Sequence, residues 1–489
     1  MSGDGGTTWE NHSRDQRCHP RRIDHPTTGD ELAALVGEAE RLGTSVRAVG
    51  AGHAWSDVAL TDGLLVETDG LSGLLELDDG TLRPAAREDP ALVRVRAGTR
   101  VRTLNALLEE RGLALINMGG YDAQAIAGVV STSTHGSGIT FGPFPDVVRS
   151  LDLVVAEGKR IRVEPSDGPT DPAAFAAQHG EARTLEQDDE VFAAAVCGIG
   201  CLGMIESLVL EVRPKFWLRE RRRVRTWEEE RPELAGGALD RHDHYELFLN
   251  PYPRKDGKHE LLVTTRDEVP QPDRLSPGDG MRDPLIEMES SFPLVWVLLR
   301  LAARFAPGLM RTQFGNTLRR MKDENYTQVS YRVFNIGAAN KLPALSMELG
   351  VPAEGDNHLR TVDRILQIAA ECARRKRFHT SPIALRFVAP SKALASMMHG
   401  APTMMIELIL VSGTRHGHEL LQTYERELSE FGARPHWGQY NTLGADAAHL
   451  RALYPRWDAW LAAQRRFNAT GVFDSPFTDR IGISRRGQA

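Results

Sequence analysis

The chain has 489 residues, 41% of them hydrophobic, and a formal net charge of −7. It is long enough for two or more domains with sizeable cores, and its acidic balance, without a long basic run, argues against nucleic acid as a partner. The four cysteines, Cys18, Cys197, Cys201 and Cys372, have neither zinc nor thioredoxin spacing, so they read as reduced thiols and no metal site is expected.

Residues 1–20 are polar and carry no apolar core of a secretory signal. Thr28 reads as an N-cap for a helix with Leu32, Leu35, Val36, Ala39 and Leu42 at helical spacing, closed by Gly43. Strands follow at 46–49, 64–68, 74–77 and 92–97, then a helix from Val101 to Arg111 ended by Gly112. Residues 150–165 form a hairpin turning at Glu157-Gly158, and 203–213 one more strand. The character changes near Pro214. Beyond it, charged strands such as HELLVTTR alternate with helical stretches around 293–323, 356–377 and 414–431, and Glu268 to Arg282 reads as a loop. The longest apolar run, Phe292 to Leu299, is followed by Arg300 and Arg304. It falls far short of the ~20 residues that span a bilayer, so no integral membrane segment is expected. It reads as a helix packed within a domain, with a helix on a membrane surface as the alternative.

Two glycine-rich loops carry the chemistry. The first, VRAVGAGHAWSD (46–57), places Gly50, Ala51, Gly52, His53, Ala54 and Trp55 after a short strand. Glycines there let backbone N–H groups approach an anion closely. The second, NMGGYDAQAIAGVVSTSTHGSG (117–138), holds Gly119, Ser133, Thr134, His135, Gly136, Ser137 and Gly138. Two such loops could grip a long diphosphate from both sides. No Rossmann G-x-G-x-x-G follows a first strand and no Walker lysine is present, so neither NAD nor ATP is indicated.

This pair of loops resembles the flavin domain of the vanillyl-alcohol-oxidase superfamily, and within it the aldonolactone oxidase family of gulonolactone, arabinonolactone and alditol oxidases. The likeness rests on GHAWSDVALTDGLLV (52–66), GLALINMGG (112–120), STHGSG (133–138), GIGCLGMI (198–205), GARPHWGQ (432–439) and NATGVF (468–473). It implies an α+β fold: a two-lobed FAD-binding domain of the PCMH type at 15–214, a mixed α/β substrate cap at 215–430 and a segment at 431–489 that returns to the flavin. It implies FAD as cofactor, attached covalently through His53. Residues 114–134 contain no cysteine, so a second attachment is not expected. Ser133, Thr134, Gly136 and Ser137 are expected to donate to the diphosphate or flavin edge. His135 is as readily structural as functional. The 198–205 stretch, with Gly203 and Ile205, is expected along the adenine end. The location implied is cytoplasmic, with peripheral membrane association as the alternative.

The active-site face departs from the relatives. They carry Glu-x-Arg on a cap strand; here SPIALRFVAP (381–390) keeps Arg386 but has Ala384 in place of the glutamate. Two residues apart on a strand share a face. In MMIELIL (404–410), Glu407 stands in an apolar strand and needs a partner, for which Arg386 is the candidate. The site carboxylate is therefore expected to have moved from one strand to the next, with a structural ion pair as the competing reading. Gln439 replaces a lysine expected near the flavin, Val129 a substrate-facing serine, and His436 borders the same place. Glu348 is a further candidate on the substrate side.

The resemblance thus implies hydride transfer from a carbinol carbon of a sugar lactone, polyol or less polar alcohol to flavin N5, with dioxygen as acceptor and hydrogen peroxide as product. Arg386 would polarise the substrate oxygen and Glu407 accept its proton or orient the arginine. The rivals are a dehydrogenase of the same fold using a quinone or cytochrome, and a flavoprotein with little turnover.

Overall fold

The computed structural model describes residues 7–77, 80–87, 89, 91–276, 293–336 and 343–486. The helix Gly29–Arg41 begins as its spacing predicts. Thr28 accepts from the Glu31 N–H at 3.2 Å and the Glu31 carboxylate returns to the Thr27 N–H at 2.6 Å. The chain leaves the helix through Gly43 at φ +61°, a left-handed conformation that glycine adopts without cost. Leu32, Val36 and Ala39 pack on a three-stranded parallel sheet ordered Arg22–Asp24, Leu64–Glu67, Val46–Val49. We expect Thr28→Ala to remove about 1 kcal/mol from this helix end. Hydrogen exchange would read that as roughly fivefold faster opening of the first-turn amides, and unchanged exchange would mean that the cap adds nothing.

A six-stranded sheet forms the second lobe, ordered Arg183–Gln187, Arg160–Glu164, Val148–Val154, Met204–Glu211, Leu92–Arg96, Leu74–Leu75. Its central hairpin turns at Glu157 and Gly158, both at positive φ (63° and 66°). A Cβ on Gly158 would lie 2.7 Å from the Ala33 carbonyl oxygen, so the turn presses on the first helix and needs glycine there.

The third sheet has eight strands, ordered Asp323–Val329, Trp217–Thr226, Glu260–Val269, His244–Leu249, Ile383–Val388, Thr403–Val411, Ala344–Pro352, Arg434–Pro435. Every neighbouring pair is antiparallel. Side chains alternate between its two faces. Leu247, Leu385, Phe387, Ile406, Leu408 and Leu349 share a core with the helices Asn357–Arg374 and Gly417–Leu428. The alternate positions, Glu246, Phe248, Arg386, Glu407 and Glu348, face the other way. Val388 and Met405, on that second face, join the core of the six-stranded lobe. This eight-stranded sheet, in the expected cap, thus lies against the core of the six-stranded lobe with its charged positions turned inward.

Three expectations need correction. The stretch 293–323 is not one helix but Pro293–Phe305, Pro307–Met310 and Phe314–Arg320, broken where Ala306 leaves helical geometry before Pro307. Its last residue, Asp323, already starts an edge strand. The first of these helices packs by one face only: Ala303 is fully buried against the protein, while Val297, Leu298, Leu301 and Phe305 are exposed. Of the expected loop from Glu268 to Arg282, residues 268 and 269 belong to a strand, and 277–282 lie outside the described residues. All four cysteines are free thiols, and no described helix is long and apolar enough to cross a membrane.

Candidate active site and cofactor cleft

A cleft runs between the two lobes and the cap sheet. Gly50 makes it narrow: a Cβ there would sit 2.5 Å from the Ala125 Cβ, so only glycine lets the two loops approach. Gly52 takes φ +62°. Ala51, Gly52, His53 and Ala54 line the cleft, and among the described residues their N–H groups have no protein acceptor. Four successive free donors suit an anion. Trp55 is fixed by donation from its N–H to the Gly438 carbonyl (2.8 Å), and Ser56 by its Oγ on the Trp437 carbonyl (2.6 Å). The C-terminal segment therefore holds the first loop in place.

The His53 ring stacks on His12 at 4.5 Å and packs against Tyr121 at 4.4 Å. Its Nε2 is buried with no partner among the described residues. Burial, aided by His12, lowers its pKa to about 4, so the ring is neutral near pH 7 with an uncommitted nitrogen.

The second loop divides. Gly119, Val129, Thr134 and His135 line the cleft; Ser133, Gly136, Ser137 and Gly138 do not. Ser133 is fully buried with its Oγ on Ser396 at 2.8 Å. Ser137 Oγ accepts from Arg266 at 3.3 Å, and its carbonyl accepts from Asn117 at 3.0 Å. A Cβ on Gly136 would collide with Asn117, and Gly138, at φ +115°, bridges to Val388. The side-chain oxygens of Ser133 and Ser137, expected to donate to the diphosphate or flavin edge, are instead engaged by Ser396 and Arg266 and fasten the loop.

At the far end, Ile199, Gly200, Gly203, Met204 and Ile205 line the cleft. Ile199 has φ +53°, strained for a β-branched residue. Buried Arg47 holds that turn, donating to the Ile199 carbonyl at 2.8 Å and the Gly200 carbonyl at 2.6 Å.

On the cap face, Phe248, Ala384, Glu407 and Glu348 stand directly opposite one another across four strands. Ala384 does not line the cleft; it is 2% exposed between two longer side chains. Arg386, one step along, donates from Nη1 to Glu407 at 3.1 Å and from Nε to Glu246 at 2.7 Å. Glu246 also accepts from Arg266 at 3.0 Å, and Arg266 donates to Glu220 at 2.8 Å. Beside them His135 Nε2 meets Glu348 at 3.1 Å. His436 Nδ1 accepts the Gly438 N–H at 3.0 Å, and Gln439 leaves a buried Oε1 without a partner among the described residues.

The carboxylates are not equivalent. Burial raises Glu407 above its ordinary value, despite Arg386, and the Glu348 charge adds to the rise. Burial also opposes the charge on Glu348, but His135 outweighs it and holds that group at about 2. Glu246 is held at about 2 against burial by Arg386 and Arg266. Burial lowers His436 to about 4, so it is neutral. The cleft thus contains one carboxylate poised to take a proton, Glu407, beside one that is not, Glu348, with Glu246 held charged behind them.

The family profile of D-arabinono-1,4-lactone oxidase matches residues 208–481, over half of the chain, and that of an FAD binding domain matches 20–164. The chain belongs to the D-arabinono-1,4-lactone oxidase family. Relatives of this family member include the L-gulono-1,4-lactone dehydrogenase of Mycobacterium tuberculosis, 30% identical over 97% of this chain and 98% of that protein. They also include the alditol oxidase of a Streptomyces species, 27% identical over 94% of each, and the L-gulonolactone oxidase of Bos taurus, 24% identical over 98% and 99%. Among solved structures, cholesterol oxidase from B. sterolicum superposes with a TM-score of 0.76 at 15% identity, covering 97% of this chain and 96% of that one. This likeness shares the fold alone. The chain is an FAD-dependent oxidoreductase, and the cleft's glycine approach, free N–H groups and orphaned His53 Nε2 fit that cofactor.

Sequence reasoning missed Arg47, Tyr121, Glu246, Phe248 and His12. Arg47 carried a signal, a charge inside an otherwise apolar strand. The others carried none, because their roles arise from pairings between strands or segments far apart in the chain.

Proposed function

We propose that this enzyme oxidises the CH–OH group of a sugar lactone, or of a related alcohol with few hydroxyls, using FAD attached through His53. Bound FAD supplies the hydride acceptor. Arg386 binds and polarises the substrate oxygen, and Glu407 receives the hydroxyl proton. Glu246 positions Arg386. Neutral His436 and the side-chain amide of Gln439 border the cofactor without adding charge. The observation that carries the reading is the half-buried Arg386–Glu407 pair on the cleft-facing side of the cap, with Glu407 raised. It restores on one strand the carboxylate that Ala384 lacks on the next. We place the enzyme in the cytoplasm.

Val129, Phe248, Ile336 and Ile409 supply apolar lining. A polyol must desolvate several hydroxyls, and each left unpaired costs about 1–3 kcal/mol. Stopped-flow flavin reduction with xylitol, a sugar lactone and an aryl alcohol at matched concentration tests this. The lactone or the aryl alcohol is expected to be at least ~10-fold faster than xylitol; xylitol reducing the flavin fastest would sink the reading. On the acceptor, the relatives' names divide between oxidase and dehydrogenase. Dioxygen is the acceptor in one reading, and an organic acceptor in the other, which a second cavity beside His53 favours. The rate at which air re-oxidises the enzyme separates them.

A further inference from the structure

A second cavity is lined by His12 and Arg14 from the N-terminal segment, by Arg300 and Arg304 from the helix Pro293–Phe305, and by Arg415 and His418 at the start of the helix Gly417–Leu428. In a chain of net charge −7 this is a concentration of positive charge. Other arginines are ion-paired, as Arg386 is with Glu246 and Glu407, and Arg162 with Asp152. Arg14 and Arg415 are exposed, and their backbone N–H groups donate to the Asn11 and Ala303 carbonyls. Among the described residues neither they nor Arg300 and Arg304 form an ion pair with a carboxylate. The acidic residue in the lining, Asp15, already accepts from the Asn11 amide at 2.6 Å.

Two independent observations indicate what such a cavity takes. The helix that supplies Arg300 and Arg304 also leaves Val297, Leu298, Leu301 and Phe305 in solvent, and Phe305, 70% exposed, lines the cavity itself. Exposed apolar side chains clustered on one helix mark a contact surface rather than scatter. The second observation is His12. It lines this cavity, and its ring stacks at 4.5 Å on His53, which lines the cofactor cleft. One stacked pair of imidazoles joins the two.

We propose that the arginine cavity is the docking site of an anionic aromatic electron acceptor, which takes up beside His53 the electrons removed from substrate. The proposal rests on the placement of FAD at His53 given above. Oxidation of a carbinol carbon to a carbonyl releases two electrons and two protons; a quinoid acceptor takes up both and leaves as its hydroquinone. Unpaired arginines raise the encounter rate of an anion and hold it, and Phe305 covers its ring. Added salt weakens the attraction.

The test uses the FAD-loaded enzyme and an Arg300→Glu/Arg415→Glu double variant, whose altered residues are exposed and absent from the cofactor cleft. Binding of anthraquinone-2,6-disulfonate is measured by isothermal titration calorimetry, which needs no turnover. The unaltered enzyme is expected to bind it saturably at one site, and the variant at least ~10-fold more weakly. An Arg300→Lys/Arg415→Lys pair, which keeps the charge, is expected to retain binding. In turnover, KM for anionic 2,6-dichlorophenolindophenol should rise at least ~10-fold in the charge-reversed variant. KM for cationic phenazine methosulfate should not rise, and anaerobic flavin reduction by a lactone should be unchanged. Absence of saturable binding, or equal binding by the charge-reversed variant, overturns the site. Lost binding with an unchanged indophenol KM overturns its role as the acceptor site. A failure of lactone to reduce the flavin of the unaltered enzyme counts against the cleft reading instead, and leaves the calorimetric result to decide the cavity.

Discussion

Glu407→Gln is expected to slow flavin reduction by at least about 10²-fold, the usual range for a lost proton acceptor. Glutamine keeps the size and one acceptor oxygen for Arg386, so the strand pairing of Glu407 with Ala384 and Glu348 should survive. The pH profile carries the sharper signature. Burial holds the Glu407 pKa above its ordinary 4.5, and a base works only when ionised. The rate should therefore climb with pH through that raised value and level off above it, and the glutamine variant should lack this limb. Arg386→Ala should be as severe. It also leaves Glu407 without its cation and Glu246 with Arg266 alone, a cost of up to about 3–5 kcal/mol where one partner of a buried pair is removed, so its fold must be checked by circular dichroism. The double variant should be little worse than either single one, because residues acting as a unit give non-additive losses. Stopped-flow reduction across pH measures all three variants. Fully additive losses would make the two residues independent. An unchanged rate and profile in Glu407→Gln would reduce the pair to a structural salt bridge.

His53→Ala is expected to abolish acid-stable yellow colour altogether. The unaltered protein should keep its flavin through acid precipitation; the variant should release it into the supernatant. The ring's Nε2 is buried and uncommitted, and burial keeps the imidazole neutral, with its pKa at about 4. Alanine leaves intact the free N–H groups of the loop and the Trp55–Gly438 and Ser56–Trp437 bonds that hold it. The variant should therefore fold and still take up FAD reversibly. Absorbance of the acid pellet is the measurement, and colour retained by the variant would show that another residue is the anchor.

Local structure was readable along the chain. The capped helix at Thr28, the hairpin at Glu157-Gly158 and the stop at Gly112 rest on spacing of three to four residues, on short polar caps and on glycine's freedom at positive φ. These are properties of adjacent residues, so the sequence alone determines them. The two glycine loops were legible for the same reason. So was the sharing of a face by positions 384 and 386, since strand alternation has a period of two.

The tertiary structure decided the rest. Glu407 meets Arg386 because two strands pair in one register, and a slip of one residue would turn the carboxylate to the opposite face. That register is set by Leu408, Ile406, Leu385 and Phe387 packing under the helices of the cap, not by anything near residue 407. Ser133 and Ser137 look like phosphate donors in sequence, yet their oxygens are taken by Ser396 and Arg266, which the chain supplies far downstream. Glu246 holds Arg386 from a strand 140 residues away in sequence, and His12 reaches His53 only through the folded N-terminus. Sequence determined which residue types and local turns were available to this protein. Which polar atoms remained free for cofactor and substrate was decided by long-range pairing, because a buried polar group is satisfied by whatever the fold brings within reach.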